Sequence, residues 1–268
     1  MKKLVLLVVM LLALAVSAHA KKNPWDQNMP IKEGAVFYSI SGTEKGTKEL
    51  YIRDYGRYTA IYEKTAMKVM GTTHNRNTIT IADPDWVYSI DLVEGTAVKT
   101  INPVKCMIEE FNKLSSSDKK KAMANAEKMG LAAMKDMNGK VTKNAATILG
   151  FKCDKAEMMG VTTYIASGSG LELKSTANLM GVKSETTATK VDKGSVSSDK
   201  FKVPSKYKVT YDKRTDQMIR DNAKMSVAML VSGETPTAGF TAPKSQDGGQ
   251  QMPSEAEMKK MMKMFGGQ

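Results

Sequence analysis

Between residues 35 and 101 one local pattern recurs six times, a short run of β-branched and aromatic residues closed by Gly, Asp or Pro. The runs cover 35–40, 49–53, 57–62, 77–81, 86–92 and 96–101. They are too short for helices, and side chains of this type favour a pleated, half-buried backbone. The pattern therefore predicts consecutive antiparallel strands. The run at 86–92 alternates most cleanly: Trp86, Tyr88, Ile90 and Leu92 fall on one face, Ser89 and Asp91 on the other.

After residue 103 the period changes. A short helix is expected over 104–114. A longer one follows Ser117 and runs to Met137, with Asn138-Gly139 as its stop. Ala122, Ala126, Met129, Ala133 and Met137 form its narrow apolar stripe, and Lys119, Lys120, Lys121, Lys128 and Lys135 keep much of the rest in water. This helical insertion, 104–138, separates the first β-rich half from a second. The second half opens with a strand-turn-strand signal at 147–153 and continues through 161–166, 171–174, a Thr-rich stretch at 182–191 and Phe201-Lys202-Val203-Pro204. Residues 207–211 read as a last strand or a lead-in to a helix over 215–230, whose expected apolar face is Met218, Ile219, Met225 and Met229.

The two ends differ from this body. Residues 1–20 read as a signal peptide: Lys2 and Lys3, an apolar run, then Ala18-His19-Ala20 as a cleavage site. The apolar run is shorter than the about 20 residues a membrane span needs. Residues 21–33, with Pro24, Trp25 and Pro30, read as an N-terminal arm, and 34–231 as a single domain. Gly, Pro, Ser, Thr and Gln dominate 232–253, the composition of a flexible linker. The tail, 254–268, reads as a short amphipathic helix with Met258, Met261, Met262 and Phe265 on one face.

The expected setting is thus the periplasm. Loss of Lys2 and Lys3 with the signal lowers the formal charge from +12 to +10. The excess is mostly Lys, and the only arginines are Arg53, Arg57, Arg76, Arg214 and Arg220. Base and phosphate readout favour the planar fork of Arg. The charge therefore predicts a solvated basic surface, and no nucleic-acid partner is expected.

Catalytic chemistry has little material. The mature chain holds one histidine, His74, in a polar, turn-like stretch that reads as an exposed loop. A Ser-His-Asp triad, a Cys-His dyad or a His-rich metal site would have to use it. No phosphate-binding Gly loop occurs, so no enzyme activity and no cofactor are expected. Cys106 and Cys153 form an even pair in an oxidising compartment and are a candidate disulfide; the alternative is two buried thiols that never meet. Of 21 methionines, 19 follow the signal. Thioethers can hold Cu(I), but no His or Cys joins Met258, Met261 and Met262, and Lys259, Lys260 and Lys263 would repel a cation. A greasy docking surface for an envelope protein or a membrane surface ranks ahead of copper binding for the tail.

One resemblance draws the strand runs together. Leu50-Tyr51-Ile52-Arg53, Arg57-Tyr58-Thr59-Ala60, Ile79-Thr80-Ile81-Ala82-Asp83 and Trp86-Val87-Tyr88-Ser89-Ile90-Asp91 come in that order, followed by the series from Thr147 to Pro204. The order resembles an uncharacterised family of exported bacterial proteins that is similar to the LolA-like superfamily of periplasmic lipoprotein carriers. The resemblance spans most of 34–211. It implies a mainly β fold with helices (α+β): a curved antiparallel sheet, an unclosed β-barrel, with helices on its concave face and an apolar cavity for acyl chains. It also implies a non-enzymatic carrier for a lipid or lipidated protein. The residues expected to line its ligand site are Trp86, Tyr88, Ile90, Leu92, Tyr58 and Tyr62. The helix at 117–138 and the Met-rich tail have no place in the carrier pattern.

Overall fold

The computed structural model describes residues 22–25, 28–69, 72–136, 139–179 and 182–233. The expected signal peptide, most of the linker and the Met-rich tail lie outside the described residues, and so do Met137 and Asn138.

The six expected runs become a six-stranded meander: β1 (Glu33–Gly42), β2 (Glu44–Arg53), β3 (Tyr58–Val69), β4 (Thr72–Ala82), β5 (Trp86–Asp91) and β6 (Thr96–Ile101). Each strand pairs antiparallel with the next. Short polar side chains shape the turns. The Asp83 carboxylate accepts from the N–H groups of Asp85 and Trp86, both at 2.8 Å, and Asp91 accepts from Val93 and Glu94 at 2.8 and 3.0 Å. Gly42 turns β1 into β2 at φ 108°, where a Cβ would stand 2.3 Å from the Lys183 carbonyl oxygen.

The second half supplies β7 (Lys140–Ile148), β8 (Phe151–Met158), β9 (Val161–Ala166), β10 (Glu172–Leu179) and β11 (Val182–Lys193), again a consecutive antiparallel meander. The two halves are one sheet. β1 pairs antiparallel with β11, and β12 (Val209–Tyr211) returns to lie parallel to β6. The order is β12-β6-β5-β4-β3-β2-β1-β11-β10-β9-β8-β7, so β12 and β7 are free edges and the sheet is unclosed.

Among the described residues three helices complete the fold: α1 (Pro103–Asn112), α2 (Ser116–Asp136) and α3 (Lys213–Ser232). Asn102 caps α1 by accepting from Val104 N–H at 2.9 Å, with Pro103 in the first turn. Asp212 caps α3 through Thr215 N–H at 2.9 Å, and Gly233 closes it by donating to the Met229 carbonyl. Both α1 and α2 pack on α3 around Phe111, Ala122, Ala126, Val227 and Leu230. Trp25 of the N-terminal arm meets Phe111 edge to face at 6.0 Å. The bundle reaches the sheet at β6: Ile101, Cys106, Met107 and Ala223 share a core that Trp25 and Trp86 also touch. The buried Asp216 carboxylate accepts from Ile101 N–H at 2.6 Å and from the Tyr211 hydroxyl, tying α3 to β6 and β12.

Three sequence expectations change here. α3 buries Asp216, Ala223, Val227 and Leu230; of its expected apolar face Ile219 packs on the β6 core and Met229 is half-buried, while Met218 and Met225 are exposed. The small Ala223 and the hydrogen-bonded Asp216, not the larger methionines, set which side docks. The helices cover only the Trp86 end of the face that carries the expected ligand residues, beside β6. Phe201-Lys202-Val203-Pro204 forms no strand. It belongs to an irregular segment, 194–208, containing one 3-10 turn, Ser198–Phe201.

β1 and β2 are buried on both faces. Ala35 and Val36 are neighbours in sequence and so point to opposite sides. Ala35 joins Tyr51, Ala60, Ile79, Ile81, Ile90 and Ala97 in one core. Val36 joins Tyr38, Leu50, Ile52, Cys153, Leu171, Leu173 and Ala188 in the other.

Candidate apolar site beneath the crossing strap

The segment 194–208 carries the chain from β11, in the middle of the sheet, to β12 at its edge. Val196, Phe201, Val203 and Tyr207 of this strap pack onto the core that contains Ala35, Tyr51, Ala60, Ile79, Ile81, Ile90 and Ala97. Phe37, Tyr62, Tyr88 and Leu92 complete the layer. Four of the six expected ligand residues, Tyr62, Tyr88, Ile90 and Leu92, therefore meet in one apolar layer. Registration explains this: Tyr62 pairs with Ile79, Ile79 with Ile90, and Ile90 with Ala97, giving a row across β3 to β6.

The other two sit apart. Trp86 shares the face by alternation but lies where the helices dock, edge to face with Tyr211 at 5.8 Å and beneath the Lys99 ammonium at 4.0 Å. Tyr58 stands at the start of β3, opposite Arg53, half-buried and outside the core. The sequence reading missed Ala35, Phe37, Tyr51, Ile79 and Ile81 as members of the layer, and missed its cover. Alternation within β1, β2 and β4 could have placed the first group; nothing local marks the strap.

Two clips hold the strap. In the first, Glu33 accepts from Val196 N–H at 2.9 Å, while Arg53 donates to the Val196 carbonyl at 3.2 Å and lies 4.4 Å from the centre of the Phe201 ring. Arg53 and Glu33 also form an ion pair at 3.7 Å. In the second, the Tyr62 hydroxyl donates to the Lys200 carbonyl at 3.0 Å. The Lys200 ammonium stands 4.3 Å from the Tyr51 ring centre, 4.9 Å from that of Tyr62 and 3.9 Å from a Glu49 oxygen. Tyr51 donates its hydroxyl proton to Glu49 and meets Tyr62 edge to face at 5.5 Å. Burial pushes the Tyr51 phenol well above its ordinary range, helped by its hydrogen bond to Glu49 and by that carboxylate's charge. Burial also raises Tyr62, against the lowering effect of Lys200.

The strap covers the layer that holds Tyr62, Tyr88, Ile90 and Leu92. Two hollows among the described residues lie elsewhere, and both are open to solvent. One, of about 480 Å³, lies between the arm and α2 and is lined by Lys22, Phe111, Lys119, Lys120, Met123, Ala124 and Glu127. The other, of about 440 Å³, lies at the strand tips near Ser41, Thr162, Thr176 and Lys183.

The expected disulfide is not formed. Cys106 and Cys153 are both buried, free thiols, one in the helix–β6 core and the other in the core behind β1 and β8. An even count of cysteines does not decide proximity; here each thiol packs as a small apolar group. Cys153 donates weakly to the Phe151 carbonyl at 3.3 Å, and burial pushes both thiols up. His74 is exposed as expected, but it lies within β4 opposite Met67, not in a loop. Among the described residues no group of three or more His, Cys, Asp or Glu could hold a metal, and no helix is long and apolar enough to cross a membrane. Met258, Met261 and Met262 lie outside the described residues.

No protein-family model and no curated protein matches this chain. Among solved structures, an uncharacterized conserved protein from Thermus thermophilus superposes with a TM-score of 0.38 at 8% identity, over 66% of this chain and 90% of that one.

Proposed function

We propose that this chain is a non-enzymatic, exported periplasmic protein that binds a lipid or the acyl chain of a lipidated protein on the apolar face beneath the strap. The observation that carries the reading is that Tyr62, Tyr88, Ile90 and Leu92 share one layer roofed by a segment with no strand pairing of its own. The signal-peptide pattern, the unclosed antiparallel sheet and the carrier-like order of the strand runs support it.

Energetics favour an exchangeable cover. Val196, Phe201, Val203 and Tyr207, each contributing roughly 1.5–3 kcal/mol on full burial, bring at most about 6–12 kcal/mol to the closed state. A twelve-carbon chain at about 0.8 kcal/mol per methylene gains nearly the same amount. Strap and acyl chain are therefore close competitors, as reversible carriage requires.

The test is native mass spectrometry of protein purified from its own envelope without detergent, with titration of a fluorescent acyl probe. A discrete added lipid mass, or saturable probe binding that protects 194–208 differently from the free state, is expected. A bare mass together with no probe binding would overturn the reading.

A further inference from the structure

We infer that Glu49, Tyr51 and Tyr62 form a cage for the ammonium group of an amphiphilic ligand, and that Lys200 of the strap occupies it in the closed state. The inference rests on the reading that the face beneath the strap takes an acyl chain, and it adds the chemistry of the headgroup.

The walls and the occupant come from different parts of the fold. Glu49 and Tyr51 lie on β2 and Tyr62 on β3, and Glu49 pairs directly with Tyr62 across the two strands. The walls are thus held in sheet register. The cation comes from the strap, which has no sheet partner. Its ammonium lies within 5 Å of both ring centres and 3.9 Å from the carboxylate. Two aromatic rings set edge to face with one carboxylate make a site for an organic cation, through ring quadrupole and charge together. The Lys200 side chain is 38% exposed, so the cage opens to water on its outer side and a headgroup can enter there.

The cage also stands at one end of the apolar layer. Tyr62 begins the row that runs through Ile79 and Ile90 to Ala97. Three strand spacings make that row about 14 Å long, the scale of a dodecyl chain. An ammonium in the cage would lay its alkyl chain along the row in the place now taken by the strap side chains. Lys200 resembles such a ligand in outline, an ammonium at the end of a methylene stem.

The experiment compares dodecyltrimethylammonium with dodecyl maltoside, the same chain with and without a cation, by calorimetric titration of the purified full chain below micellar concentrations. Lys200→Ala should tighten dodecyltrimethylammonium binding about tenfold, the scale of a partly desolvated cation–π contact, and leave dodecyl maltoside within about twofold. Adding Glu49→Gln or Tyr51→Leu to Lys200→Ala should reverse the gain; Glu49→Gln keeps the test open should the buried Tyr51 substitution fail to fold. An equal gain for both detergents would overturn the cage while leaving the apolar face standing. A gain that survives Glu49→Gln would also overturn it. No binding of either detergent by any folded variant would overturn the cage and the apolar-face reading together.

Discussion

β1 and β2 present two buried faces built from alternate residues of the same strands, and the two are covered in different ways. Behind them, Val36, Ile52, Leu171, Leu173 and Cys153 are fully sealed. That core is mostly aliphatic, and the side chains packed on it include Ile148 and Phe151 of the β7–β8 hairpin. In front, Tyr51, Tyr62 and Tyr88 bring phenols into the layer, and an irregular strap closes it through a few side-chain contacts. Composition within a strand does not distinguish a core covered by paired strands from one covered by an irregular segment. The distinction lies in whether the cover is itself locked by a backbone ladder.

Substitutions can break or sharpen this contrast. The largest effect is expected behind the sheet. Leu173→Ala removes a fully buried side chain from a core with regular cover and should cost about 2–5 kcal/mol in denaturant unfolding. A cost below about 1 kcal/mol, on the scale of an exposed site, would mean that this core is no tighter than the front one.

Next comes the edge of the same half of the sheet. The buried Asp154 carboxylate accepts from Lys143 Nζ at 2.9 Å, Asn144 N–H at 2.9 Å and Ser167 Oγ at 2.7 Å, pinning the irregularity in β7. Burial alone would raise its pKa, but these donors outweigh it and hold the carboxyl below the usual range. Asp154 therefore contributes stability that is fully present above its unfolded pKa of about 4 and is lost as pH falls through the lower folded value. Asp154→Asn should cost about 2–3 kcal/mol at neutral pH and flatten the acid limb of a stability–pH profile.

The front cover should yield at lower cost. Phe201→Ala is expected to destabilise by roughly 1–2 kcal/mol, less than a fully buried Phe, because Phe201 is only partly buried. Hydrogen exchange should rise within 194–208 and not in β8–β10. Faster exchange in both regions would show that strap and back core open as one unit.

A pH-dependent effect is expected at Glu172, whose backbone carbonyl accepts from the Tyr38 hydroxyl at 2.8 Å. Burial raises its carboxyl, against the lowering effect of Lys48. A raised folded pKa means that ionisation opposes folding, so stability should fall as pH climbs from the unfolded value through the folded one. Glu172→Gln should remove that slope. Thermal unfolding across the mildly acidic to neutral range is the measurement. A slope unchanged by the substitution would place its origin elsewhere.

The strands were readable because alternation is a local property: one face of Trp86, Tyr88, Ile90 and Leu92 needs only the strand itself to appear. The caps that start two helices are equally local, Asn102 and Asp212 acting on N–H groups two or three residues away, although the sequence reading named neither. The side of α3 that docks was read only in part: Ile219 packs on the β6 core, but Met218 and Met225 are exposed because methionine is apolar at any position, whereas docking selected Ala223 for close approach and Asp216 for its buried hydrogen bonds. The candidate site was half legible. Tyr62, Tyr88, Ile90 and Leu92 came from pattern. Trp86 departed from the group because helices cover its end of the sheet.

By itself, then, the sequence determined the meanders, the three helices and the apolar face of β3 to β6, all of which follow from side-chain period and turn chemistry over a few residues. Only the tertiary structure decided that β1 pairs with β11 to make one sheet, that Cys106 and Cys153 belong to separate cores, and that the strap lies over the tyrosines. Those are choices between partners far apart in the chain. They depend on total burial and register across the whole sheet, which no local run of residues encodes.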